Sequence, residues 1–499
     1  MGMLKLDLPD EKATRLFGND LARALVRGDL LLLSGDLGAG KSTLARALIR
    51  SLAQDPDLEV PSPTFTLVQA YDTPLPASHF DLYRINDPSE LSELGLDESL
   101  EAGIALIEWP EKAASALAGP AIRIALLMKD EGRVAVIEAG DAEDRIMRSL
   151  ALRGFLARSG HGSALRRPFA GDASPRVYEL IADETGNDLV VMDQREAPAG
   201  PPVWNGKPYR DVAHTTNPTV HPFVAIDTAL IANGFAAPRI LHSDLDRNFL
   251  ILEHLGNGSF LDEDGKPLID RYCFAAEVLA DIHMAGIGPV VSGGGVSWTV
   301  PQFDRDALMI EALLALDWYL PYRLGRAATD SERAEFMAIW DDLFASLNKP
   351  AYGLVLRDYH SPNLIWRGDR DGRDRLGILD FQDALWGPNA YDLASLAQDA
   401  RITIPPEIEE AAVSAYFSRR MQMAGFDAQR TAREFAVMAL QRNTKILGIF
   451  VRLNLRDGKP AYLKHLPRIE SYVLRTLPNP GLERLAAFYA DMGLGAVTI

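Results

Sequence analysis

Leu30-Leu31-Leu32-Leu33-Ser34-Gly35-Asp36-Leu37-Gly38-Ala39-Gly40-Lys41-Ser42 decides the fold of the first part of the chain. Four consecutive leucines suit a strand buried on both faces of a parallel sheet. Gly35–Ser42 then fits G-x-x-x-x-G-K-[ST], and Thr43–Ser51 reads as a helix behind it. Gly35, Gly38 and Gly40 let backbone amides turn inward around phosphate oxygens. The helix that Thr43 opens adds positive partial charge at its N-terminus. Lys41 is placed for β- and γ-phosphates, and Ser42 offers a hydroxyl to magnesium. The bland alternative is a glycine-rich turn beside an unrelated lysine; the strand before and helix after select nucleotide binding.

Asp10–Leu25 reads as an amphipathic helix with Leu16, Leu21 and Leu25 toward a core. Strand-like runs recur at Phe65–Val68, His79–Tyr83, Ile104–Glu108, Ile122–Met128 and Val134–Glu138. Many strands and few helices in this stretch predict a compact α/β domain. Glu108 closes the apolar run Ile104–Ile107, where a strand end delivers a carboxylate to bound phosphates. Asp81 sits at another strand, in His79-Phe80-Asp81-Leu82-Tyr83-Arg84. Either carboxylate alone reads as a solvated strand end; the nearby phosphate loop favours function.

Gly35–Ser42, Ser62-Pro63-Thr64-Phe65-Thr66, His79–Arg84 and Glu108-Trp109-Pro110-Glu111 together resemble the TsaE family, small ATPases of bacterial tRNA threonylcarbamoyladenosine synthesis. The resemblance covers roughly Met1–Gly140. It implies that Lys41 and Ser42 grip ATP and magnesium, and that Glu108 is a metal-associated acid. It also implies that Asp81 lies near the nucleotide and Thr64 in a switch-like segment. TsaB-like and TsaD-like subunits, which handle the tRNA, are the implied partners.

Charge agrees with that division of labour. The chain has 499 residues, with 51 Lys and Arg against 69 Asp and Glu, a net −18. Up to Leu150 the balance is −10, and beyond it −8. Neither part is basic, so unaided binding to nucleic acid or anionic lipid is not expected. The length suits two or three domains. Cys273 is the single cysteine, which excludes an internal disulfide and a cysteine-only zinc site. No segment reads as a signal or a membrane span, so a soluble cytoplasmic protein is expected.

The second part opens strand-rich, at Val177–Ile181, Leu189–Met192 and Leu250–Leu252, with a helix near Pro222–Asn233 and a Gly/Pro-rich loop at Pro198–Pro208. From Arg271 it turns mostly helical. Leu356-Arg357-Asp358-Tyr359-His360-Ser361-Pro362-Asn363 joins strand-like Gly353–Leu356 to strand-like Leu364–Trp366. In kinase-type phosphotransferases an Asp five residues before an Asn accepts the substrate proton, and the Asn binds magnesium. Asp380, seventeen residues past Asn363, ends an apolar strand where a metal-binding Asp belongs. Turn-capping Asp and Asn residues are the plain alternative.

Ala276–His283 resembles the Leu-x-x-x-His helix of aminoglycoside and choline kinases. Asp358–Asn363, Asp380–Pro388, Tyr391-Asp392-Leu393 and Lys445–Asp457 most closely resemble the AmgK family of N-acetylmuramate/N-acetylglucosamine anomeric kinases, over about Arg148–Ile499. The resemblance implies transfer of the ATP γ-phosphate to the anomeric hydroxyl of an amino sugar in cell-wall recycling. Asp358 is then the general base, Asn363 and Asp380 hold magnesium, and Asp383 is a candidate for sugar hydroxyls, a surface carboxylate being the alternative. The strand expected to supply a phosphate lysine reads Val190-Val191-Met192-Asp193; Lys207 lies in a loop, and Arg176, beside Gly171–Pro175, is the candidate replacement.

The expected architecture is an α/β P-loop NTPase domain over residues 1–141, a linker or first kinase helix over 142–165, and an α+β two-lobed kinase-like phosphotransferase with its small lobe over 166–256 and its helical large lobe over 257–499. Rival readings keep the kinase fold with an aminoglycoside, choline or homoserine acceptor, or make the first domain a nucleotide-dependent assembly module. His79, His254 and His283 read as core histidines, and Trp318-Tyr319-Tyr322 as helix packing.

Overall fold

The computed structural model describes residues 3–85, 87–88, 90–169, 176–215, 217–347 and 351–494. The chain forms two compact units: residues 1–193 with 249–251, and residues 194–248 with 252–499.

The first unit contains β1 (Leu4–Leu8), α1 (Glu11–Ala22), β2 (Leu30–Ser34), α2 (Lys41–Ala53), β3 (Val68–Tyr71), β4 (Ala77–Asp81), α3 (Glu90–Glu93), α4 (Leu96–Ala102), β5 (Ile104–Glu108), β6 (Ile122–Lys129), β7 (Gly132–Glu138) and α5 (Glu143–Arg158). Its main sheet has the order β1-β7-β6-β2-β5-β4-β3. The leucine run of β2 is flanked in parallel by β5 and β6, and β4 lies parallel to β5. Every residue of β4 and β5 is buried, as apolar strands covered on both faces should be.

Several elements differ from the sequence expectation, the short helices α3 and α4 among them. Leu4–Leu8 forms β1, whose alternating burial pairs it antiparallel with β7. Phe65–Leu67 does not extend a strand: the ladder starts at Val68, and Leu67 takes a φ of +63°. Hydroxyl residues just ahead hydrogen-bond to Asp81 instead, and such side chains compete with a backbone ladder.

After α5 come β8 (Arg167–Phe169), β9 (Arg176–Ala182) and β10 (Asp188–Gln194). A buried polar cluster ties this region to the P-loop helix. Asn19 of α1 donates to Ser51 of α2 at 2.6 Å and pairs with the backbone of Arg166. The Arg166 guanidinium is bidentate to Glu179 of β9 at 2.6 and 3.0 Å and also reaches Asp20 at 3.0 Å. Arg153 of α5 holds the same Asp20.

The second unit contains β11 (Pro202–Trp204), β12 (Lys207–Pro208), α6 (Tyr209–Val212), α7 (His221–Ala232), β13 (Ile240–Asp244), the flank of β14 (Phe249–Glu253), α8 (Ile269–Met284), β15 (Val290–Gly293), β16 (Val296–Thr299), α9 (Arg305–Leu314), α10 (Leu320–Leu324) and α11 (Asp330–Ser346). It continues with β17 (Tyr352–Val355), β18 (Leu364–Trp366), β19 (Leu376–Ile378), β20 (Leu385–Pro388), α12 (Ala390–Ala397), α13 (Pro406–Arg420), α14 (Ala428–Leu455), α15 (Leu466–Thr476) and α16 (Glu483–Asp491). The Pro198–Pro208 loop holds a small hairpin, because Asn205-Gly206 takes the paired positive φ of a tight turn. The aromatic trio divides: Tyr319 is buried and donates to Glu470 at 2.6 Å, whereas Tyr322 is exposed. Among the described residues no helix is long and apolar enough to cross a membrane.

Candidate active sites

The first site forms where β2, β4 and β5 end together. Parallel register sets Leu33 and Asp81 beside Glu108. Gly35 has a φ of +139°, and a Cβ there would lie 2.5 Å from the Leu126 carbonyl oxygen, so only glycine fits. Lys41 Nζ donates to the carbonyls of Gly35 and Asp36 at 2.6 and 3.0 Å and lies 3.6 Å from the centre of the Trp109 ring. Burial lowers the Lys41 pKa; Glu108, Glu111, Asp81 and Asp36 oppose that shift.

Both oxygens of Glu108 are engaged. Oε2 accepts from Ser42 Oγ at 2.9 Å, and Oε1 lies 2.9 Å from His79 Nε2. Asp81 Oδ2 accepts from Ser62 at 3.0 Å and Thr64 at 2.7 Å, and Oδ1 accepts the backbone N–H of Tyr83. Gly35, Gly38, Gly40, Lys41, Ser42, Asp81 and Glu108 therefore share one end of the sheet. Thr43 lines a separate cavity of about 280 Å³ with Arg15, Arg46 and Leu165. Oxygen donors from Ser42 and Glu108 suit magnesium, which takes one or two protein ligands and completes its shell with phosphates and water. Among the described residues no group of three or more His, Cys, Asp and Glu side chains is arranged to hold a metal ion.

The second site is a loop between β17 and β18, clamped from below. Asp392 of α12 accepts the backbone N–H groups of Leu356 at 2.5 Å and Arg357 at 2.7 Å. Arg357 holds a φ of +74°, a strained value that persists only where the surroundings over-determine it. Its guanidinium pairs with Glu311 of α9 and donates to the carbonyls of Ala213 at 3.0 Å and His214 at 3.3 Å. Glu311, fully buried, also takes Lys445 Nζ of α14 at 2.8 Å. At the other end of the loop, Ser361 donates through its N–H and hydroxyl to Asp399 at 2.9 and 2.5 Å.

Between these anchors sits Asp358. Burial is the largest influence on its carboxyl and pushes its pKa up, but His360, Lys445, Arg357 and Arg442 together hold it below the ordinary carboxylate range. It is therefore ionised near neutrality. Asn363 Nδ2 donates to the Asp358 carbonyl at 3.0 Å and approaches Asp380 Oδ2 at 3.4 Å. Gln382 fixes the other Asp380 oxygen at 2.7 Å. Asp380 has a φ of +58°, and Phe381 beside it packs on Phe223 of α7 at 4.9 Å between ring centres. Asn363 and Asp380 thus converge as a pair of hard oxygen-bearing groups that fits magnesium. Asp383 is half-buried in the turn before β20.

Arg176 opens β9, where it is 6% exposed and lines a cavity with Ala22, Arg23, Leu52 and Pro74. Gly171–Pro175 lie outside the described residues.

The family model of the TsaE threonylcarbamoyl adenosine biosynthesis protein matches residues 8–135, and that of the phosphotransferase enzyme family matches residues 166–432. The N-acetylmuramate/N-acetylglucosamine kinase of Caulobacter vibrioides is 33% identical over 352 residues, 68% of this chain and 96% of that protein. The corresponding kinase of Neisseria meningitidis is 34% identical over 64% of this chain and 87% of its own length. The tRNA threonylcarbamoyladenosine biosynthesis protein TsaE of Rickettsia felis is 39% identical over 26% of this chain and 75% of its own length.

The chain belongs to the phosphotransferase enzyme family and carries a TsaE-family N-terminal part.

The phosphotransferase part therefore includes both the Asp358 loop and its clamps. Of those clamps, Asp392 and Lys445 lie in motifs that the sequence singled out, whereas Glu311 and Asp399 carried no such signal. Glu311 interrupts the apolar run Ala307–Leu316, which begins in α9, and a lone acid in such a run signals a buried partner. His79, read as a core histidine, is 1% exposed, but it is spent on Glu108 rather than on packing. It precedes Asp81 by two residues on β4, so period-two geometry turns both to one face.

Proposed function

We propose that the chain is a bifunctional enzyme. Its phosphotransferase part moves the ATP γ-phosphoryl group to the anomeric hydroxyl of N-acetylmuramate or N-acetylglucosamine, giving the sugar 1-phosphate for re-use of cell-wall amino sugars. Its TsaE part hydrolyses ATP in support of tRNA threonylcarbamoylation, alongside TsaB-like and TsaD-like partners. The observation that carries the reading is the match to 96% of the length of the Caulobacter kinase, with Asp358, Asn363 and Asp380 gathered in one loop cluster.

Asp358 accepts the proton of the sugar O1 hydroxyl. The O1–Pγ bond forms as the bond from Pγ to the β,γ-bridging oxygen breaks, and its electron pair leaves with ADP. The anomeric hydroxyl is the most acidic of the sugar hydroxyls, which suits a carboxylate base. Magnesium held by Asn363 and Asp380 supplies charge neutralisation for the phosphates. Asp383 is assigned to the sugar hydroxyls. In the first part Lys41 holds the phosphates, Ser42 and Glu108 hold a second magnesium, and Asp81 fixes the Ser62–Thr64 segment.

The acceptor choice has a physical basis. Lys445 and Arg357 are neutralised by Glu311, whereas Arg442 adds positive field at Asp358 without a described carboxylate partner, and that charge disfavours a cationic acceptor such as choline or an aminoglycoside. The test is incubation with ATP, magnesium and each candidate acceptor, followed by mass and NMR analysis. A phosphorus–anomeric proton coupling with either amino sugar is the expected result. Phosphorylation of choline or kanamycin in preference to both sugars would refute the assignment.

A further inference from the structure

Helix α14 presents Arg442 and Lys445 three residues apart, hence on one face. Lys445 is ion-paired: Nζ bonds Glu311 at 2.8 Å and the Tyr391 hydroxyl at 3.3 Å, and Glu311 in turn grips Arg357. That contact lies on the near side of Asp358. On the far side, Arg442 Nη1 meets the Gln398 carbonyl at 3.3 Å, and Asn443 bonds the Gln398 side chain at 2.6 Å. Gln398 adjoins Asp399, which anchors Ser361. The 442–445 face of α14 therefore spans the loop from residue 357 to residue 361, with Asp358 between its ends.

The two cations differ in how they are compensated. Lys445 has a buried carboxylate. Arg442 is 3% exposed, yet among the described residues its guanidinium makes this single long hydrogen bond and pairs with no carboxylate. A buried, uncompensated guanidinium is costly to hold. Its remaining donors form the planar fork that matches a carboxylate. Its field is nonetheless felt at Asp358, His360, Tyr391 and Asp392.

We infer that Arg442 is the specificity residue for an acidic acceptor, receiving the lactyl carboxylate of N-acetylmuramate beside Asp358. This rests on the sugar-kinase reading above. N-acetylglucosamine has no such group, so the two sugars separate what Arg442 does for an anion from what it does for the fold. The simpler role, capping the C-terminal carbonyl of α12, acts equally on both sugars.

The experiment measures kcat/KM of the wild-type chain and of Arg442→Gln for N-acetylmuramate, its neutral methyl ester and N-acetylglucosamine. The ratio of N-acetylmuramate to N-acetylglucosamine should fall roughly 10- to 100-fold in the variant, the span expected for losing a hydrogen bond to a charged group. The wild-type preference for the acid over its ester should fall with it, and Arg442→Lys should lie between. An unchanged ratio, whether both sugars decline together or neither does, overturns the inference while leaving the kinase reading intact. Failure of the wild-type chain to phosphorylate either sugar overturns both.

Discussion

The Asp392 carboxylate accepts the backbone N–H of Arg357 at 2.7 Å, so the residue beside the proposed base is held from its main chain by a fully buried acid. Burial pushes Asp392 up to about 7, against the pull of its two N–H donors. Replacing it with Ala strands two buried donors, at a cost of about 2–5 kcal/mol. Urea unfolding of Asp392→Ala should show that loss. In the fraction still folded, kcat for sugar phosphorylation should fall about 100-fold, because the loop no longer fixes Asp358.

Two phosphate sites on one chain separate by mutation. Lys41→Ala should abolish nucleotide hydrolysis at the P-loop and spare sugar phosphorylation. Asp358→Asn should do the reverse, lowering kcat at the sugar site by about 10²-fold or more. Paired assays of phosphate release and sugar 1-phosphate on each variant decide the point; loss of both activities in either variant counts against independent sites.

Asp380→Asn keeps the shape of the Asn363–Asp380 pair and removes its charge. The magnesium concentration for half-maximal sugar phosphorylation should rise about tenfold or more, since a carboxylate is the stronger ligand for a hard cation. A magnesium titration at saturating ATP reads this directly.

Arg166 lies between Asp20 and Glu179, with all three side chains buried. Arg166→Met strands Glu179 while Asp20 keeps Arg153, and leaving a buried charge unpaired costs about 3–5 kcal/mol. Thermal and denaturant midpoints of the full chain should both fall.

Asp227 of α7 is raised to about 8, by burial first and by Glu253 second, and its Oδ1 has no hydrogen-bond partner among the described residues. The folded chain therefore holds a proton there that the unfolded chain releases near pH 4. Its stabilising effect is complete below about pH 4 and is lost as pH rises to about 8. Asp227→Asn should remove that slope. Urea midpoints of the variant and wild type should diverge in favour of the variant between pH 5 and 8.

What could be read in the sequence was local. The leucine run of β2 and the Gly35–Ser42 loop are contiguous, and the geometry of each is dictated by its own residues. The 358–363–380 spacing survives because a short hairpin, β18 with β19, brings Asn363 back beside Asp380. Glu311 and Arg442 escaped because each acts across more than forty residues of chain on partners that only the folded helices bring near. The β15–β16 hairpin was missed because its central residues are polar or glycine, so neither strand carries an apolar run. Phe65 looked like strand because its neighbours are apolar or β-branched, but Asp81 claims the hydroxyls around it.

The Asn19–Arg166–Glu179 chain of bonds makes the two inheritances of this protein share a seam. A genetic engineer cutting the gene between the TsaE match and the phosphotransferase match would leave the Arg166 guanidinium with Glu179 but sever it from Asp20 and Asn19. Each half would then inherit a raw charged surface, and rejoining them as separate polypeptides would require that seam to re-form between two chains.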